Sequence, residues 1–252
     1  MGRTLAISNR KGGSGKTSSA VNIAAQLAAQ GQRVLLVDMD TQSHCAPGLG
    51  IKVQRNSPTL HGFMAGHHAL ADAVLKTQWT GLDLIAGDPL FDHGSGIGGE
   101  DTLRRALSDE GIQAQYDMVV LDTPPSLDGL LMNALCASDR VLVPFVPHFL
   151  AGEGVRQLAR VLFRIASRGS NDNLRLLGFL PVMLDSRIVQ HRNVMQGLAT
   201  QFGPTRLLPG IRNDIRMVEA FAAGKPLIAH SPASRAAADY QNAVRDLLER
   251  WK

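Results

Sequence analysis

The sequence predicts an α/β fold: a single domain built on a mostly parallel twisted sheet with helices on both faces. Three observations carry this expectation. Continuous aliphatic runs with almost no polar interruption stand at Leu5–Ser8, Val34–Val37 and Met118–Leu121, the pattern of parallel strands buried on both faces. Helical patterns lie between such runs, so strand and helix alternate from end to end, and ligands are expected at the carboxyl ends of the strands. Finally, 252 residues, 44% of them hydrophobic, supply one large core and no material for a second.

In chain order, the first strand, Leu5–Ser8, runs into a glycine-rich turn and a helix over Ser18–Gln30, closed by Gly31 as a C-cap. The strand Val34–Val37 follows, and Leu82–Ala86 is a weaker strand candidate. Gly94–Gly99 holds four glycines in six residues and reads as a mobile surface loop, because the αβ pattern resumes directly after it. A helix at Leu103–Leu107 precedes the strand Met118–Leu121, and another at Leu127–Ala137 precedes Val141–Phe145. The helix Gly152–Ser167 carries apolar residues at Val155, Leu158, Ala159, Leu162 and Phe163. Weaker strands are expected at Leu176–Val182 and Leu227–Ile228. The last helix, roughly Ala233–Trp251, lines up Tyr240, Val244, Leu247, Leu248 and Trp251, and is expected to cover the sheet in preference to anchoring a membrane.

Several function classes are set aside by composition. No apolar run approaches the roughly 20 residues that span a bilayer, and the N-terminal apolar stretch is too short for a secretory signal, so the chain is expected in the cytoplasm. Cys45 and Cys136 lack metal or redox spacing and read as reduced thiols. The eight histidines show no paired spacing for a metal enzyme, and His67-His68 reads as a solvated turn. The formal net charge of +4 is unevenly spread: residues 1–150 hold 11 Lys/Arg against 14 Asp/Glu, whereas 151–252 hold 15 against 8. The basic C-terminal part suits a polyanion such as DNA, and equally a well-solvated surface.

The chemistry concentrates in Arg10-Lys11-Gly12-Gly13-Ser14-Gly15-Lys16-Thr17, placed between a strand and a helix. The ordinary Gly-x-x-x-x-Gly-Lys-Ser/Thr loop needs glycine at position 10, where this chain has arginine. The physical machinery survives: the glycines let backbone N–H groups turn toward phosphate oxygens, and the helix start adds its positive end. Lys16 would meet the β and γ phosphates of ATP, and Thr17 would hold Mg²⁺. At the end of the second strand, Asp38 and Asp40 point the same way if the strand continues through them. The buried run Met118–Leu121 delivers Asp122 to its tip, a candidate Mg²⁺ ligand and also a common turn or capping residue.

Lys-Gly-Gly-x-Gly-Lys-Thr over Lys11–Thr17 is similar to the deviant phosphate loop of the ParA and MinD family of ATPases. The Asp-x-Pro-Pro-Ser-Leu sequence from Asp122 resembles the same family, as do Leu184–Arg187, Ile211–Ala220, Gly224–Pro226 and Ser234–Ala237. The resemblance covers essentially the whole chain and lies closest to the chromosomal ParA group. It implies that Lys11 reaches the partner subunit's nucleotide in an ATP-bound homodimer, that Asp40 orients the attacking water, and that Asp38 lies nearer the metal. It also implies that Arg187, Arg212, Arg216 and Arg235 contribute to a patch binding double-stranded DNA without sequence preference. An adaptor protein that stimulates hydrolysis, and nucleoid association, belong to the same expectation. Thr41, His44 and Cys45 depart from the usual ParA sequence. No segment precedes the first strand, so a separate N-terminal helix-turn-helix domain is not expected.

Two rivals share the loop. A MinD-like ATPase would cycle on a membrane, and an ATPase resembling the nitrogenase iron protein would need paired cluster cysteines, which Cys45 and Cys136 do not match.

Overall fold

A computed structural model describes residues 2–91, 97–148, 151–167 and 169–251. The sheet has seven strands: β1 Arg3–Ile7, β2 Val34–Asp38, β3 Val74–Lys76, β4 Leu82–Ile85, β5 Met118–Asp122, β6 Arg140–Phe145 and β7 Arg175–Pro181. Their order is β3-β4-β2-β5-β1-β6-β7, with β3 antiparallel on the edge and every other pairing parallel.

The helices are α1 Lys16–Ala29, α2 Cys45–Gly48, α3 Leu60–Met64, α4 Thr102–Asp109, α5 Ile112–Gln115, α6 Gly129–Cys136, α7 Ala151–Ser167, α8 Val189–Phe202, α9 Arg216–Ala222, α10 Leu227–His230 and α11 Arg235–Arg250. Gly31, with φ at 87°, sends its N–H to the carbonyl of Ala28 and ends α1 as expected. Asp128 caps α6 by accepting from the amides of Leu130 and Leu131, and Ser234 caps α11 through Ala237.

The period of two along each strand divides the core between the two faces. Leu5, Ile7, Val34, Leu36, Met118 and Val120 pack against α1 and α11. Leu35, Val37, Val119 and Leu121 face the other way, onto α4 and α6. A third cluster joins Val141, Val143 and Phe145 to Val155, Leu158, Val161 and Ile165 of α7, while Ala159 faces solvent. In α11, Tyr240, Val244 and Leu247 are buried against the sheet, in keeping with a covering helix.

The structure corrects some expectations. Leu227–Ile228 begins helix α10 and is not a strand, because Pro226 starts a turn whose carbonyl accepts from Ala229 and His230. The short edge strand β3 and helices α8 and α9 were not expected; α8 buries only Leu198, so its apolar periodicity is faint. His67 is exposed, but His68 is half-buried and accepts at Nε2 from the amide of Thr59, so the two do not form a solvated pair. The first half of Gly94–Gly99, residues 94–96, lies outside the described residues. Among the described residues, no helix is long and apolar enough to cross a membrane.

Candidate functional site

Three central strands end side by side, and the candidate site sits at their carboxyl tips. The register places Ile7 opposite Asp122 and Asp122 opposite Asp38. From the tip of β1 the chain turns through residues 8–15 and enters α1 at Lys16. Gly13 and Gly15 hold φ at 69° and 80°, a left-handed conformation that glycine adopts without strain. At Gly15 a side chain is doubly excluded, since a Cβ would stand 2.9 Å from Cγ2 of Val182. Gly15 is the N-cap of α1 and offers no side-chain cap, and no acidic residue occupies the first turn. The free N–H groups and positive end of the helix therefore face the loop, an arrangement that receives phosphate.

Lys16 is buried at the start of α1. Burial pulls its ammonium below the usual lysine range, while Asp122 and Asp40 act in the opposite direction. Asn9, which sequence reasoning passed over, braces the loop: its side chain donates to the carbonyl of Pro144 at 2.8 Å and accepts from the amide of Lys11 at 3.0 Å. Lys11 Nζ donates to Nε2 of His148 at 2.8 Å, so in this single chain the lysine rests on the loop after β6.

Asp38 and Asp122 are fully buried at adjacent strand tips. Burial pushes the Asp122 carboxyl up to about 6, against hydrogen bonds from Thr17 and Cys45 and the charge of Lys16. Burial, and then the neighbouring Asp122, push Asp38 well above the ordinary carboxylate range; the amides of Cys45 and Asp40 oppose this by donating to it at 2.9 and 3.2 Å. One oxygen of Asp122, Oδ1, is buried with no hydrogen-bond partner. Two buried acids side by side, one with an unused acceptor, form with Thr17 a donor set that suits Mg²⁺.

Asp40 corrects one premise, because β2 ends at Asp38 and does not carry Asp40 along its face. A turn places it instead: its carbonyl accepts from Ser43 and its carboxylate from the amide of Gln42. Half-buried, it still bears electrostatically on both Lys16 and Asp122.

Beside the loop lies a cleft of about 520 Å³. Gly15, Thr17 and Ser18 line it together with Val182, Met183, Met217 and Phe221. Its apolar lining next to a phosphate cradle suits a flat heterocycle. Val182, Met183, Met217 and Phe221 were missed by sequence reasoning; of these only Met217 falls in a family-like segment, Ile211–Ala220, read there for its arginines. A larger cleft of about 860 Å³ opens at the other end of the strands, near Arg3, Arg140 and Trp251, and holds none of the strand-tip carboxylates.

Three of the four arginines expected to meet DNA are engaged. Arg187 pairs with Asp185 at 2.7 Å, Arg216 with Glu219 at 2.5 Å, and Arg212 makes a two-pronged contact with Asp239 at 2.9 and 2.8 Å. Arg235 is exposed at the first position of α11. Arg187, Arg212 and Arg216 thus each fasten a neighbouring acid in this chain.

A doubly wound sheet with an uncapped glycine loop, a buried lysine and paired strand-tip acids defines a P-loop nucleotide-binding protein. A family model described as an AAA domain matches residues 2–176. The chromosome partitioning protein ParA of Caulobacter vibrioides is 38% identical, over 98% of this chain and 94% of that protein. The chromosome-partitioning ATPase Soj of Thermus thermophilus is 37% identical, over 98% and 96%. Among solved structures, cobyrinic acid a,c-diamide synthase from Mycobacterium smegmatis with bound ADP and magnesium superposes with a TM-score of 0.82 at 30% identity, covering 100% of this chain and 96% of that one. Apo McdA, with a TM-score of 0.87 at 21% identity over 100% of both chains, shares the fold. The chain belongs to the ParA and MinD family of P-loop ATPases.

Proposed function

We propose that this chain works as a single P-loop ATPase domain of the ParA type, which binds ATP with Mg²⁺, closes into a homodimer, binds DNA without sequence preference and hydrolyses ATP to partition or position a cargo on the nucleoid. The observation that carries the reading is the meeting of Thr17, Asp38 and Asp122, with its unpartnered Oδ1, beside the open start of α1. The relatives named for chromosome partitioning, matched over nearly their full lengths, support the partitioning role.

Each residue takes a role that its placement allows. The amides of Gly12, Gly13, Ser14 and Gly15 cradle the phosphates, and Lys16 offsets their charge from its buried position. Thr17 binds the metal through its hydroxyl, with Asp38 and Asp122 behind it. When bound there, Mg²⁺ would supply neutralisation of the phosphate charge. Asp40 orients the attacking water from a turn that can shift without moving the sheet. Lys11 leaves His148 and reaches the partner's nucleotide, which makes closure depend on ATP.

Exposed apolar groups support the dimer. Met183, Ile188, Val189, Ile215 and Val218 are 44–66% exposed along segments that border or adjoin the cleft beside the loop. Apolar groups grouped beside a ligand site are suited to burial when two copies close. Arg187, Arg212, Arg216 and Arg235 then lie on a surface shared by the two subunits, and an adaptor protein speeds a slow intrinsic hydrolysis.

The test is retention of purified protein on random-sequence duplex DNA and on anionic liposomes, with ATP and Mg²⁺, with ADP, and with Asp40→Ala. Retention on DNA with ATP and Mg²⁺ and not with ADP, prolonged by Asp40→Ala, is the expected result. Retention on liposomes with none on DNA would replace this reading with a membrane-cycling one.

A further inference from the structure

We propose that Cys45 turns the strand-tip pocket into a site for a thiophilic divalent cation of the Zn²⁺, Co²⁺ or Cd²⁺ class, bound by Asp38, Cys45 and Asp122. The inference rests on reading the pocket as a cation site and adds a ligand and an ion class to it.

The geometry is tight. One ligand atom from each of the three residues lies within 4.8 Å of the others, and all three residues are fully buried. Cys45 Sγ stands 3.4 Å from Oδ2 of Asp122. In a tetrahedral zinc site, with bonds of about 2.3 Å to sulfur and about 2.0 Å to oxygen, the sulfur-to-oxygen edge is roughly 3.5 Å. The pair is therefore already spaced as two corners of such a site.

The other contacts hold the three groups in place. The amide of Cys45 donates to Oδ2 of Asp38 at 2.9 Å, fixing the start of α2 on that carboxylate. Asp122 Oδ1 has no partner, so a cation there would satisfy an acceptor that the protein itself leaves unmet. Thr17, half-buried and hydrogen-bonded to Asp122, leaves a fourth position to its hydroxyl or to water.

The ligand set decides the ion class. Mg²⁺ demands hard oxygen ligands and gains little from sulfur, whereas thiolate selects the softer first-row and heavier divalent ions. On binding, the metal–sulfur bond forms as the S–H bond breaks, and the proton passes to solvent. The two carboxylates bind ionised, giving up any proton to solvent as the thiol does, so three anionic ligands hold one dication at a net charge of −1, which the nearby Lys16 ammonium offsets, and no redox step is needed. A soft ion held here occupies the ground needed by Mg²⁺ and makes the ATPase sensitive to it.

The test titrates nucleotide-free, reduced protein with Co²⁺ and follows the thiolate-to-cobalt charge-transfer absorption. The expected result is a band that saturates at one ion per chain, persists in Cys136→Ala and is lost in Cys45→Ala and in Cys45→Ser, which keeps the side-chain volume. Zn²⁺ displaces Co²⁺ from the wild type with an affinity at least about 10-fold above that for Cys45→Ala, since losing a direct ligand costs no less than losing an outer-shell partner. No thiolate band in the wild type, or the same band and affinity in Cys45→Ala, overturns the proposal. Binding of Mg²⁺ with ATP to the wild type, measured in parallel, separates the two readings: its absence beside a thiolate band would sink the ATPase assignment and leave the soft-metal site supported.

Discussion

Replacing Asp122 with asparagine should stabilise the nucleotide-free protein while destroying its response to Mg²⁺. The carboxyl is fully buried and its pKa is raised from 3.8 to about 6, mainly by burial. Between those values the native state holds more protons at this position than the unfolded chain, so the wild type loses stability as pH rises through the window. Above pH 6 the loss is complete and amounts to about 3 kcal/mol, at about 1.4 kcal/mol per pH unit. Asparagine carries no charge to bury but accepts less well from Thr17 and Cys45, which leaves a net gain of about 1–2 kcal/mol. For a chain of this length that is a rise in Tm of about 2–8 °C. The assay is thermal unfolding of both proteins with a chelator at pH 8 and at pH 4, and again at pH 8 with Mg²⁺ and ATP. The advantage of Asp122→Asn should be largest at pH 8, shrink toward pH 4, and reverse once Mg²⁺ and ATP stabilise only the wild type. An equal or lower Tm for the variant at pH 8 with chelator would refute the reasoning.

Three further outcomes are expected. Gly15→Ala forces a left-handed φ of 80° on a residue whose Cβ meets Val182 at 2.9 Å; it should cost about 1–2 kcal/mol in chemical denaturation and abolish nucleotide binding by calorimetry. Arg212→Ala leaves the buried Asp239 without its two-pronged partner and should lower stability by about 1–3 kcal/mol, so its DNA retention has to be compared with that of Arg235→Ala, which breaks no ion pair among the described residues. His148→Ala removes the resting place of Lys11; a hydrogen bond worth about 1 kcal/mol in each of two subunits implies a roughly 25-fold larger dimerisation constant with ATP by sedimentation, and an unchanged constant would show that the contact does not restrain the lysine.

The centre of the sheet was legible because its strands are buried on both faces, which makes Val34–Val37 and Met118–Leu121 unbroken aliphatic runs. The phosphate loop was legible because its glycines are required by backbone geometry at Gly13 and Gly15. The periphery was harder to read. Strand β3 has three residues and only partial burial, and α8 buries a single leucine, so neither writes a clear period into the sequence. Leu227 and Ile228 are apolar like a strand, but Pro226 turns them into a helical segment. Within the site, Asp122 announced itself at the end of a hydrophobic run. Cys45 did not, since its meeting with Asp122 is created by pairing β2 with β5 and by the turn after Asp38. The ion pairs of Arg212 and Arg187 were equally invisible, because a count of charges does not reveal which of them face one another.

The adjacency of β2, β5 and β1 also bears on how the protein matures. Ile7, Asp38 and Asp122 are remote in sequence and become neighbours only when the middle of the sheet has zipped in register. No early fragment of the chain owns a phosphate cradle together with its counter-acids. Pairing of this kind is slow, because the entropy of closing long loops is lost before the contacts that reward it are made. Nucleotide therefore has nothing to grip on a half-made chain, and its capture acts as a completion signal that only molecules with a finished centre can give.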